Sequence, residues 1–234
     1  MKLGIMQPYF FPYLGYWQLI NAVDQYVIYD DVNFITRGWI SRNNVLMNGT
    51  SKLINVRLHS ASLNKRINEI EVVDDHIYSK KILRSIENNY SKAPCFSKAY
   101  PMIERVINQR EKNLANYLEF GIRQVCDYLS INTEIIVSSS LKKDNELKGQ
   151  DKVFEICKVL GADEYINAIG GQDLYSDEDF AAHGIRLSFL KTQEISYKQF
   201  ENEFIPNLSI IDVLMFNEPQ NIRKILDKYD VIPC

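Results

Sequence analysis

Two short apolar runs open the chain. Leu3-Gly4-Ile5-Met6 stops at Gln7-Pro8, and Gln25-Tyr26-Val27-Ile28-Tyr29 stops at Asp30-Asp31; runs of this length bounded by turn formers read as buried strands. Between them Leu14, Trp17, Leu19, Ile20 and Val23 recur at helical spacing, over a segment too long for a hairpin and suited to a crossover helix. The start therefore reads β-α-β, with a right-handed crossover to a parallel neighbour. From Gly38 to Val73 the pattern turns to short alternating runs (Asn44–Leu46, Leu53–Leu58, Glu69–Val73) around Asn48-Gly49, a dipeptide that two-residue hairpins favour. Residues 76–89, 97–109 and 113–129 then carry apolar positions three to four apart, with Pro94 and Pro101 near helix starts.

After this helical block the α/β alternation resumes. Strands are expected at Glu134–Val137, Glu164–Ile166 and Arg186–Leu190, a helix at 151–160 with Gly161 as its stop, and a last helix from Pro219 to Tyr229. No repeat or linker divides the pattern. The expected fold class is α/β: one domain over residues 1–234, built on a Rossmann-like, mostly parallel sheet, with residues ~38–130 as a β-hairpin and helical insertion.

Composition narrows the function classes. A formal charge of −3 gives no bulk positive field, so any anion site must be local and nucleic acid is not an expected partner. Fourteen Tyr and 11 Phe among 234 residues exclude a disordered chain. The opening residues lack the plain apolar run of a signal peptide, and no stretch approaches the ~20 apolar residues that span a bilayer, so membrane insertion is not expected and the expected location is the cytoplasm. Cysteines 95, 126, 157 and 234 form no C-x-x-C pair and share no ligand spacing with His59, His76 and His183. No metal site is expected from them.

Four clusters stand out. The segment from Gln7 to Trp17 packs Tyr9, Phe10, Phe11, Tyr13, Tyr16 and Trp17 around Pro8 and Pro12, directly after the first strand, where open α/β sheets bind ligands. Gln7, Tyr9, Tyr13, Gly15 and Tyr16 are its candidate contacts; an aromatic loop packed on the core is the alternative. The second strand ends at Asp30-Asp31 and leads to Arg37, Trp39, Arg42 and Asn43, where two arginines suit bidentate phosphate contacts and the indole suits stacking. Gly170-Gly171 resembles a phosphate loop in outline, though a tight turn explains it equally. Tyr197 and Gln199 precede Ser209 and Asp212, a capping-box-like helix start.

The residues Gln7-Pro8-Tyr9-Phe10-x-Pro12-Tyr13-x-Gly15-Tyr16, Tyr29-Asp30-Asp31-Val32, Arg37-Gly38-Trp39-Ile40-x-Arg42-Asn43, Tyr197-x-Gln199 and Phe204-Ile205-Pro206-x-Leu208-Ser209-Ile210-Ile211-Asp212 together resemble the WbqC-like family over nearly the whole chain. The resemblance implies a role in bacterial O-antigen or capsule biosynthesis, and the family prototype is described as a glycine transferase acting on an amino sugar. It brings no catalytic residue set with it. In topology the strand, Pro-rich loop and Tyr13-Leu14-Gly15-Tyr16 are similar to the H-x-G-H start of the nucleotidylyltransferases, with tyrosine in place of both histidines. Tyrosines cannot become cations near neutral pH, which weighs against adenylyl transfer of the usual kind.

Three functions follow as expectations. The first is transfer of an acyl or aminoacyl group, such as glycyl, from an activated donor to a nucleotide-linked amino sugar; tRNA as the donor's carrier would be the one nucleic-acid contact. Asp30, Asp31 and Tyr13 are the expected catalytic residues, with Asp30 preferred as base. Arg37→Lys, which loses the guanidinium fork, should then weaken ligand binding about tenfold. The second is nucleotidyl transfer with ATP, and Mg²⁺ at Asp30-Asp31. The third is a binding protein of the same machinery without chemistry of its own.

Overall fold

A computed structural model describes residues 1–201 and 203–234. Strand β1 (Lys2–Met6), helix α1 (Leu14–Ala22) and strand β2 (Gln25–Ile28) form the expected opening unit, with Ile5 opposite Val27 in parallel register. A hairpin of β3 (Arg42–Met47) and β4 (Thr50–Asn55), a small pair of β5 (Leu58–His59) and β6 (Glu71–Val72), and helices α2 (His76–Tyr90), α3 (Phe96–Ile107) and α4 (Leu114–Leu129) follow. The hairpin turns at Asn48 and Gly49, both at positive φ, the conformation that a two-residue turn between twisted strands needs. The chain continues through β7 (Glu134–Val137), α5 (Gly149–Leu160), β8 (Glu164–Ala168), α6 (Asp177–Ala182), β9 (Arg186–Thr192), α7 (Ile210–Phe216), α8 (Pro219–Leu226) and β10 (Tyr229–Pro233).

Six strands make the central sheet in the order β10-β9-β8-β1-β2-β7. All neighbours are parallel except β10, which pairs antiparallel with β9. The chain starts mid-sheet, moves outward through β2 to β7, crosses back along α5, and moves outward again from β8. The reversal falls between β1 and β8, and at such a point the connections leave in opposite directions and open a crevice beyond the carboxyl ends of the strands.

Strand alternation divides the core in two. Leu3, Ile5, Val27, Tyr165, Leu187 and Phe189 face α5 and α6, while Tyr26, Ile28, Ile166 and Leu190 face a larger core built with α1, α2, α3, α4, α7 and α8. The insertion therefore packs on one face of the sheet. Helix starts carry their own caps: Asp75 accepts the amide of Tyr78, and Asn113 those of Ala115 and Asn116.

Three local expectations change. Pro101 lies inside α3, not at its start. The last helix ends at Leu226, and Tyr229–Pro233 pairs with β9 as an edge strand, where a terminal proline costs no ladder bond between strands. Ser209 does cap α7, accepting from the Ile211 amide, but Asp212 does not complete a capping box because the Ser209 amide donates to the Asn44 carbonyl. Asp212 is fully buried and serves another purpose.

Candidate functional site

The loop after β1 divides its aromatics between two tasks. Phe10, Phe11, Tyr16 and Trp17 are buried, and hydrogen bonds lock the backbone around them. Trp17 Nε1 donates to the Pro12 carbonyl at 3.0 Å, Tyr16 Oη to that of Gln7 at 3.1 Å, and Asn43 Nδ2 and Ser209 Oγ both reach the Phe11 carbonyl, at 2.8 and 2.7 Å. Phe11 is held at φ 42°, a sparsely populated conformation for a bulky residue that persists where its surroundings over-determine it. What the lock leaves free is the other side of the loop: Gln7, Tyr9 and Tyr13.

Those three line a cleft of about 740 Å³ beyond the carboxyl ends of β1, β2 and β8. Tyr29, at the end of β2, and Asn167, Gly170 and Gly171, at the end of β8, contribute to it, as do Trp39 and Asn207 from loops and Asn43 from the start of β3. Gly171 packs closely on Asn167: a Cβ there would lie 2.6 Å from Asn167 Nδ2, and that side chain would have to move aside. Ile35, Trp39 and Leu174, three of the eight large apolar side chains exposed among the described residues, border this one cleft, a concentration that marks binding surfaces. Among the described residues no Asp, Glu, Lys, Arg or His lines it. Burial, followed by Tyr13 for Tyr9, raises the hydroxyl pKa of Tyr9 and Tyr13, and burial, then Asp31 and Tyr175, raises that of Tyr29. All three remain neutral donors at physiological pH.

The other expected site residues lie elsewhere. Asp30 is 2% exposed, and its carboxylate accepts from the Ser139 amide at 2.9 Å, Ser139 Oγ at 2.6 Å and Asn68 Nδ2 at 3.1 Å. These contacts tie β2 to the insertion and to the turn after β7. Asp31 meets Lys143 Nζ at 2.7 Å and Lys152 Nζ at 2.9 Å, all three side chains being almost wholly buried. Burial pushes the Asp31 carboxyl up, but Lys143, Ser138 and Lys152 together outweigh it and hold the pKa below the usual range. The two carboxylates thus turn to separate protein partners, Asp30 to Ser139 and Asn68 and Asp31 to Lys143 and Lys152.

Arg37 is exposed, and Arg42 spends its guanidinium on the carbonyls of Gly38 and Arg37, about 6.0 Å from the Trp39 ring centre. Neither lines the cleft, so the expected phosphate fork is absent from its walls. Arg42 instead shapes the loop that carries Trp39. Tyr16 is core, and Gly15 faces Tyr13 and Thr192: a Cβ there would lie 2.7 Å from the Tyr13 ring and 2.9 Å from Thr192 Oγ1. Gly170 and Gly171 sit in a 3-10 turn, and the helix beyond it opens with Asp177, Glu178 and Asp179, a poor start for holding phosphate. Tyr197 and Gln199 bind Asp212, whose carboxylate accepts from Tyr197 Oη at 2.7 Å, Gln199 Nε2 at 2.7 Å and Tyr90 Oη at 2.8 Å. Burial raises the Asp212 pKa, with the Tyr197, Tyr90 and Gln199 hydrogen bonds opposing that rise.

Tyr29, Asn167, Tyr175 and Asn207 also line the cleft, beyond the residues expected from the sequence. The signal available for Tyr29 and Asn167 was their position at strand carboxyl ends; Asn207 had none, because only the tertiary fold returns its loop to the cleft. Among the described residues no helix is long and apolar enough to cross a membrane, and no group of three or more His, Cys, Asp and Glu could hold a metal ion.

Comparison with known proteins agrees in extent with the span of these motifs. The sequence model of the WbqC-like protein family matches residues 7–224. The uncharacterized protein Rv1507c of Mycobacterium tuberculosis (strain ATCC 25618 / H37Rv) is 27% identical over 221 residues, covering 92% of this chain and 93% of its own. No solved structure matches the chain significantly.

Proposed function

The chain belongs to the WbqC-like protein family, and from that membership and the cleft we propose a transferase of bacterial surface-polysaccharide biosynthesis that adds an acyl or aminoacyl group, glycyl among them, to a nucleotide-linked amino sugar. The observation that carries the reading is a 740 Å³ cleft at the reversal of strand order, lined by aromatic rings, carboxamides and phenolic hydroxyls without one charged side chain. Sugars present apolar C–H faces and hydroxyl edges. Aromatic rings accept the former, and neutral donors and acceptors match the latter without the desolvation cost of a buried charge.

In this reading Trp39 and Tyr9 supply stacking faces and Gln7 and Asn207 hydrogen-bond the sugar hydroxyls. Tyr13 Oη donates to the acyl oxygen as charge develops on it. The sugar nitrogen forms a bond to the acyl carbon as the bond from that carbon to the donor's leaving group breaks, and the amine proton passes, through water, to the departing group, which leaves protonated. Asp30, already accepting three hydrogen bonds, is a less favourable base than the bare sequence suggested. The strand order supports a Rossmann-like reading of the sheet. A saccharide-binding protein without chemistry is the second reading, favoured by the absence of a charged acid or base on the cleft walls.

Tryptophan fluorescence tests the site directly. Trp17 is fully buried and Trp39 is 45% exposed, so quenching on addition of UDP- or dTDP-linked amino sugars reports on Trp39. We expect a saturable change and a raised Tm. Trp39→Ala should weaken binding about tenfold, or ~1.4 kcal/mol, at unchanged stability. If only ATP with Mg²⁺ raises the Tm, the transferase reading gives way to nucleotidyl transfer; nucleotide-sugar binding without turnover on any activated acyl donor would favour the binding protein.

A further inference from the structure

A second cavity, of about 370 Å³, lies over the carboxyl end of β9. Its walls are the segment Thr192 to Tyr197, the first turn of α1 and the loop that leads into α7. Tyr13 and Asn207 line both this cavity and the main cleft, so the two spaces adjoin across these residues. Asn207 is held there at φ 58°, a left-handed conformation that asparagine tolerates better than most residues.

The two spaces differ in charge. Among the described residues the main cleft has no charged lining residue, whereas the second has one, Glu194. Several polar groups around it are already committed: Thr192 Oγ1 donates to Gln18 at 2.7 Å, Gln193 Nε2 to Asp230 at 2.9 Å, and Tyr197 Oη to Asp212 at 2.7 Å. Among the described residues Glu194 has neither an ion pair nor a hydrogen-bond partner, although Lys and Arg side chains elsewhere find carboxylates. Leu14, Phe204, Pro206, Leu208 and Val213 complete an apolar surround. Glu194 is exposed to solvent, and an uncommitted carboxylate bordering an otherwise neutral, partly apolar cavity suits a small cation that can donate hydrogen bonds.

We propose that this second cavity seats a small co-substrate bearing a primary ammonium group, held by Glu194, with its uncharged end toward Tyr13 and Asn207. The assignment rests on the transferase reading of the neighbouring cleft, because a two-substrate reaction needs adjoining seats whose reactive ends meet. It explains why Tyr13 lines both spaces. It also explains why the sole charge lies in the smaller of the two.

Glycinamide, a cation with an uncharged amide end, is the probe, and acetamide is its neutral control. Titrated into the full chain and followed by amide NMR, glycinamide should shift residues 192–197 saturably in the millimolar range, and acetamide should not. Glu194→Gln should weaken glycinamide about fivefold or more, while the Trp39 titration with a UDP-linked amino sugar stays unchanged. Glycinamide should still bind when that nucleotide sugar is saturating. Equal affinity in Glu194→Gln, no saturable shift in the wild type, or displacement by the nucleotide sugar would each overturn the proposal. Failure of the nucleotide-sugar titration with the glycinamide response and its loss in Glu194→Gln intact would count against the transferase reading and for the ammonium seat.

Discussion

The end of β2 carries two neighbouring chemistries with opposite fates. Tyr29 faces the cleft, while Asp30 and Asp31, the next two residues, turn inward to Ser139 and Asn68 and to Lys143 and Lys152. The same division runs through the molecule. Asp30, Asp31 and Arg42, which the sequence places near the site, are spent on scaffold contacts, and the described residues that line the main cleft are neutral. The physical reason is desolvation: a buried carboxylate is tolerated only when donors or cations surround it, which leaves few of its lone pairs for a ligand. Hydroxyls and carboxamides can remain unpaired in a solvent-filled cleft at little cost and exchange water for sugar.

The comparison is tested most severely at Asp212, a fully buried carboxylate whose three side-chain donors, Tyr90, Tyr197 and Gln199, are all neutral. Asp212→Ala leaves two tyrosine hydroxyls and the Gln199 amide facing a lost acceptor, and we expect urea unfolding to show a loss of about 3–5 kcal/mol. A loss below about 1 kcal/mol would mean that water, not Asp212, satisfies those groups. Next in size is Lys152→Met, which removes one of the two cations on Asp31 and should cost about 2–3 kcal/mol.

The pH profiles of the two carboxylates should run in opposite directions. The Asp31 pKa is depressed in the fold, so its contribution is present above the ordinary carboxylate value and is lost as pH falls through the depressed one. That of Asp212 is raised, so its contribution is present below the ordinary value and is lost as pH rises through the raised one. Stability of wild type relative to Asp31→Asn and to Asp212→Asn, followed from acid to neutral pH, should therefore rise in the first case and fall in the second. Parallel profiles would remove the distinction.

Gly15→Ala sharpens the boundary between scaffold and cleft. The added methyl meets the Tyr13 ring and Thr192, so a stability loss of about 1–2 kcal/mol is expected from crowding, with ligand affinity changed only as far as Tyr13 is displaced. Undiminished stability with lost binding would place Gly15 against the ligand. The smallest effect is expected at Arg37. With its guanidinium outside the cleft walls, Arg37→Lys should alter nucleotide-sugar affinity by less than about twofold. A tenfold fall would restore the arginine fork and break the contrast between charged scaffold and neutral cleft.

Much of this was legible before the fold was seen. The β-α-β start, the Asn48-Gly49 hairpin, the three insertion helices and the Gly161 stop are local signals, and they appear where periodicity and turn chemistry place them. Gln7, Tyr9 and Tyr13 follow the carboxyl end of β1, where open α/β sheets bind ligands, and that position was legible in the sequence. The direction of Asp30, Asp31 and Arg42 was not. Their partners, Ser139, Lys143, Lys152 and the carbonyls of Arg37 and Gly38, come from remote segments or from loop curvature that no periodicity encodes. The role of Glu194 was hidden likewise, since an exposed glutamate reads as ordinary surface until a cavity forms beside it.

By itself the sequence determined five of the six strands of the main sheet, the longer helices, the parallel opening unit and the aromatic loop at the end of β1, since hydrophobic period and turn residues act within a few positions of the chain. Only the tertiary structure decided which polar side chains stay open to a ligand. That choice depends on whether a partner arrives from far along the chain, as Lys143 and Lys152 arrive at Asp31 and Tyr90 at Asp212, while none arrives at Glu194 among the described residues.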